Sequence, residues 1–148
     1  MKWIRGIILF FLWMISANLH SQIIDDFSDG DFSSNPTWSG TNADFIVNAN
    51  QQLQLNNTIA GSSYLSLGHG ISNLQNHEWH FWVKQTFSPS SSNYGKVYLS
   101  ADNSNLSSVQ NGYYLLFGEA NAVDAIRLFK LENGISTQLC SGVDGQIS

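Results

Sequence analysis

"GYYLLFGE", residues 112–119, decides the fold of this chain. From Tyr113 to Phe117 the run is apolar or aromatic without a break, and glycine stands at Gly112 and Gly118. A run this short, closed by glycine at both ends, reads as a strand rather than a helix. Apolar on both faces, it is expected to be a central strand with layers on either side.

Working outward, "AIRLFKLE" (125–132) and "STQLCSG" (136–142) flank Asn133-Gly134. Asn-Gly between two alternating runs signals a hairpin with a tight, left-handed turn. Upstream stand "KVYLSAD" (96–102), "EWHFWVKQTF" (78–87), "SYLSLG" (63–68), "QLQLN" (52–56), "DFIVN" (44–48) and "QIIDDF" (22–27). Leu53 and Leu55 share a face by strict alternation. The loops "SDGDFSSNPTWSGTN" (28–42) and "SPSSSNYG" (88–95) separate them, the second low in complexity and expected to be mobile. No stretch beyond residue 22 sustains helical apolar spacing. About nine short strands with a turn every dozen residues predict an all-β, antiparallel sandwich.

Lys2 and Arg5 precede "GIILFFLWMISA" (6–17), an apolar run shorter than the ~20 residues of a membrane span. Basic start, short apolar run and small residue predict a secretory signal peptide over 1–21, a mature domain from Gln22 to Ser148, and a secreted or cell-surface location. No cysteine stands directly after the run, which speaks against a lipid anchor, and no membrane contact is expected after cleavage. The removed residues carry two of six basic and none of eleven acidic residues, so the net charge moves from −5 to −7. That acidity excludes nucleic acid as a natural partner. Cys140 is the sole cysteine, so no internal disulfide supports the domain, and the thiol is expected to be buried in its strand.

"DDFSDGDFSSNPTW" (25–38), "ADFIVNANQQLQLN" (43–56), "GYYLLFGE" and "IRLFKLENG" (126–134) together resemble the N-terminal module of large surface proteins exported by the type IX system of gliding-type bacteria. Lamin-tail-like or sorting domains often lie downstream in that group. The resemblance covers residues 22–148 and implies a jelly roll similar to the concanavalin A and laminin-G folds. In the group the jelly roll continues past "DGQIS" (144–148), so closing strands and downstream domains of one longer protein are expected beyond Ser148.

"HEWH" (77–80) invites a zinc reading and fails it. The helical zinc-protease spacing would need a second histidine where Phe81 stands. On a strand only Glu78 and His80 share a face, and zinc wants three or four ligands. His69, in "GHG", has no evident approach.

The same alternation divides residues 78–87. Trp79, Phe81, Val83 and Phe87 form an expected core face, leaving His80, Trp82 and Lys84 outward. In "KVYLSAD" Val97, Leu99 and Ala101 are the expected core side, and Lys96, Tyr98 and Ser100 face away. Aromatic rings on polar faces suit sugars, whose C–H faces stack while polar neighbours read hydroxyls. His80, Trp82, Lys84 and Tyr98 are therefore candidate ligand contacts, unless a further layer covers the two rings.

Asp25, Asp29 and Asp31 are candidate ligands for a structural Ca²⁺, a hard cation that wants several oxygens. EF-hand spacing fails, and a solvated acidic turn at Asp29-Gly30 is the competing reading. No other cofactor is expected. Paired carboxylates at alternate positions, a Gly-x-Ser-x-Gly elbow and a phosphate loop do not occur, and no catalytic residue is assigned. The expected function is a non-catalytic binding or adhesion module for glycans or cell-surface partners. A structural spacer and an accessory part of a secreted hydrolase remain as alternatives.

Overall fold

The computed structural model describes residues 22–71, 73–119 and 124–145. The leader expected over 1–21 lies outside them. The described chain is all-β with antiparallel pairing and one short 3₁₀ turn, Asn42–Asp44. Its strands are β1 (Ser39–Gly40), β2 (Phe45–Val47), β3 (Leu53–Leu55), β4 (Leu65–Ser66), β5 (Gly95–Ala101), β6 (Gly112–Phe117), β7 (Ile126–Glu132) and β8 (Ile135–Ser141).

β5 to β8 form a four-stranded antiparallel sheet in chain order, with β6 and β7 in the middle. Sequential neighbours pair because short connections bring them together before any distant strand can compete. The β7–β8 turn is the one its dipeptide demands. Glu132 faces Ile135, and Asn133 and Gly134 take φ of 51° and 78°. Only residues tolerant of left-handed backbone make this turn, whose twist matches the strands it joins. The β5–β6 loop braces it: Gly134 N–H donates to the Gln110 carbonyl, and Asn133 N–H to Asn111 Oδ1. Gln110 is buried, and its side chain binds the loop backbone at Asn103 and Asn105.

Two irregularities shape the sheet. Leu99 is an extra residue between Tyr98↔Tyr114 and Ser100↔Tyr113. Leu139 is extra between Phe129↔Gln138 and Leu128↔Cys140. Such bulges add twist and re-aim the side chains beyond them.

Several expectations are corrected. β6 is central in its sheet, and among the described residues no second sheet packs on it; Tyr114 and Phe117 are buried and its other side chains half-buried. Residues 22–27 form no strand; instead Asp25 and Asp26 accept N–H groups two residues on, which competes with extended pairing. Residues 78–87 also form no strand. Gln85 donates to the Phe117 carbonyl and Pro89 lies against Gly118, so this segment touches the end of the sheet. No backbone hydrogen bond joins residues 76–84 to another described segment. Consequently Trp79, Phe81, Val83 and Phe87, the expected core face, are exposed, as is Trp82. Leu55 is exposed beside half-buried Leu53, because β2 and β3 form a separate two-stranded ribbon. Cys140 is exposed because β8 is an edge strand, exposed along its whole length. Within the 88–95 loop Ser90 and Asn93 form an isolated bridge.

Candidate functional site

One face of the four-stranded sheet gathers aromatic and charged side chains. Cross-strand register sets Tyr98 opposite Tyr114 and Tyr114 opposite Phe129. Residues directly opposite in an antiparallel pair project to the same side, so three rings form a row across β5, β6 and β7. Tyr98 and Tyr114 lie 5.5 Å apart and tilted; Tyr114 and Phe129 are stacked at 5.1 Å. Tyr114 ends in a 3.0 Å hydrogen bond from its hydroxyl to Ser136 Oγ on β8. Its ring is therefore held in place from both neighbouring strands.

Lys96, two residues before Tyr98 on β5, lays its ammonium over this row. Nζ stands 4.7 Å from the Tyr114 ring centre and 5.5 Å from that of Tyr94. Lys96 as a whole stays exposed, but partial burial of its ammonium beside the rings lowers its pKa from the ordinary value. Burial, then the neighbouring Tyr114 and Tyr94, pushes the Tyr98 phenol up. Beside these groups an open cleft of about 490 Å³ is lined by Tyr94, Lys96, Tyr114, Leu116, Gly118 and Glu119. The loop before β5 closes one side. Gly118 makes this possible: with φ at 120° it has room for Pro89 and Tyr94 only because it carries no side chain.

Glu119 is the cleft's described carboxylate, and Arg127 holds it from Nε and Nη2 on both oxygens. This paired fork is the strong geometry for a carboxylate, and both groups are mostly buried.

The structure treats the predicted site residues unevenly. Tyr98 belongs to the aromatic row and is half-buried, because its direct pairing with Tyr114 across β5 and β6 sets the two rings side by side. His80, Trp82 and Lys84 lie on the unpaired 76–87 segment. Among the described residues no hydrogen bond or ring contact links them to Tyr98, and His80 meets only Glu78 at 3.1 Å, both exposed. Residues the sequence left unassigned, namely Lys96, Tyr94, Tyr114 and Phe129, complete the cluster. The available signal was the spacing Lys-x-Tyr in "KVYLSAD" against Tyr-x-Leu in "GYYLLFGE"; what was lacking was the register that superposes them.

The acidic opening is a turn system. Asp25, Asp29 and Asp31 each accept the N–H two residues ahead. Asp25 also accepts the Trp38 indole N–H at 2.7 Å, and Asp31 the hydroxyls of Ser33 and Ser34. Those hydrogen bonds, Ser34 first, lower the Asp31 pKa to about 2. The carboxylates thus point into their own loop, and among the described residues no three acidic, histidine or cysteine side chains converge as a cation would require. The residues do not fit a Ca²⁺ site.

Among the described residues no helix is long and apolar enough to cross a membrane. In comparisons with known proteins, the chain matches no family model, no curated protein and no solved structure.

Proposed function

We propose that this chain is a secreted, non-catalytic binding module that takes glycans at the aromatic face of its β5–β8 sheet. The observation that carries the reading is the open cleft lined by Tyr94, Lys96 and the buried Tyr114, with Tyr98 packed against Tyr114 beside it. Rings supply flat apolar area, and the ammonium and carboxylate beside them supply polar contacts, the combination that sugar rings need. The reading is non-catalytic because Glu119 is held on both oxygens by Arg127, whereas glycoside hydrolysis uses two poised carboxyls.

In this reading the sheet is one layer of a jelly-roll sandwich of the concanavalin A-like kind, as in the N-terminal modules of type IX-exported surface proteins. The exposed apolar residues Ile126, Ile135 and Leu139 support it, being what a second layer would cover. The leader sequence supports export to the medium or cell surface. N-terminal sequencing of exported protein should begin within a few residues of Gln22; retention of Met1 would refute the export reading.

The binding reading is tested on a glycan array. The exported chain is expected to be retained by a defined set of glycans, and Tyr94→Ala, at a half-exposed ring, should weaken retention by about 1–3 kcal/mol with an unchanged thermal melt. Retention of no glycan at all would instead favour a spacer role.

A further inference from the structure

We infer that the ligand of this cleft is an acidic glycan, with a carboxylate or sulfate group placed on Lys96 Nζ; the inference rests on the glycan reading above. After the leader, the chain has four basic side chains: Lys84, Lys96, Arg127 and Lys130. Arg127 is committed to Glu119, and Lys130 to Glu132 at 2.7 Å. Lys84 lies on the exposed 76–87 segment. Lys96 is thus the cation at the cleft, and among the described residues no carboxylate lies within ion-pair distance of it. It sits instead on the faces of Tyr94 and Tyr114, which hold it without consuming its charge.

The electrostatics favour one sign of ligand. A partly desolvated ammonium with no counter-ion gains most from an anion that replaces its lost water. The cleft's own negative charge does not oppose this, because Arg127 already neutralises Glu119. The remaining acidic groups are many, and they set a limit on ligand length. A chain of net charge −7 after the leader repels a long polyanion, so short acidic oligosaccharides or acidic chain ends are the favoured form. A sugar ring on the exposed Tyr94 would bring its acidic substituent to the neighbouring ammonium, so stacking and charge act on one residue of the ligand.

The test uses calorimetry or array binding of the exported chain with three short probes of equal length: a galacturonate oligomer, a sulfated galactose oligomer and a neutral galactose oligomer. The acidic probes should bind about tenfold or more tightly than the neutral one, the gain expected of one charge-assisted hydrogen bond. Lys96→Gln should abolish that preference, so that on this variant the acidic probes bind no more tightly than the neutral one, while Lys96→Arg should keep it. Preference should also fall as pH rises toward the lowered Lys96 pKa, because the neutral amine no longer attracts an anion. Which acidic probe binds better separates carboxylate from sulfate recognition. Equal binding of all probes, or an acidic preference surviving Lys96→Gln, overturns the acidic-ligand inference and leaves the glycan reading standing. Failure of every probe and of the wider array overturns both.

Discussion

Tyr114 in β6 is 4% exposed, and Trp82 in the 76–87 segment is 68% exposed, although both belong to aromatic-rich stretches of similar length. The difference lies in their neighbours. β6 has a hydrogen-bonded strand on each side, supplied by the next segments along the chain. Residues 76–84 have none among the described residues, and their side-chain alternation therefore separates two exposed faces rather than inside from outside. Alternation states that two faces exist; only a paired partner decides which one is hidden. The sheet of β5–β8 and residues 22–87 thus form a contrast between local pairing that is complete and local pairing confined to two short ribbons.

The strongest way to break that contrast is to truncate an aromatic residue on each side of it. Tyr114→Ala should cost about 3–5 kcal/mol, since it empties a buried position, removes the stack on Phe129 and frees Ser136. Trp79→Ala, at a ring 37% exposed, should cost about 1 kcal/mol or less. Denaturant melts of the two variants decide it. Equal losses would mean that Trp79 is a core residue in solution and that 78–87 is a paired strand, as its alternation alone suggests. Hydrogen exchange sharpens the same point without mutation. Amides of β6 and β7 should be protected together, and those of residues 76–84 should exchange at close to unprotected rates.

A smaller effect is expected from two glycines. Gly134→Ala should cost about 1–2 kcal/mol, because alanine at φ of 78° brings its Cβ against the backbone. Gly61 lies in a loop of the other region, with ordinary φ and no atom within 4 Å of an added Cβ. Gly61→Ala should be neutral or stabilise by about 0.4–1 kcal/mol, by restricting the unfolded chain. A thermal melt in which Gly61→Ala is the more damaging would reverse the assignment of order to the two regions.

What could be read in the sequence follows the same division. The all-β class, the Asn-Gly hairpin and the central position of "GYYLLFGE" were legible because each depends on a few adjacent residues. Strands at 22–27 and 78–87 were read where none forms, since propensity for extended backbone was visible and the absence of a partner was not. Of the candidate site, Tyr98 was legible as an aromatic residue on a polar face. Its association with Tyr114 and Lys96 was not, because it depends on a register that includes the Leu99 bulge. Cys140 was read as buried from its residue type, yet edge position overrides type: among the described residues β8 has a neighbour on one side only.

The smallest effect concerns acid, and it should be confined to the opening loop. Hydrogen bonds from Ser34 and Ser33 favour the ionised carboxyl of Asp31 and lower its pKa from 3.8 to about 2. A group whose folded pKa is depressed contributes its stability above the unfolded value, and that contribution is lost as pH falls through the folded value. The loop should therefore keep its turns at pH 4 and above and loosen between about 3.8 and about 2. Asp31 is solvent-exposed on its carboxyl side, so the linkage is local and should leave the sheet untouched. Two-dimensional NMR can follow both regions in one titration. The Asp31 carboxyl carbon and the Ser33 amide should shift together with a midpoint near 2, since that amide donates to Asp31 Oδ1. The Gly134 amide, bonded to the Gln110 carbonyl and to no carboxylate, should stay fixed through the same range. A midpoint near 3.8 for Asp31 would mean that its turn is not formed in solution, and the opening would then be a bare acidic segment. Movement of Gly134 with the same midpoint would mean that loop and sheet are coupled, and the independence of the two regions would be lost.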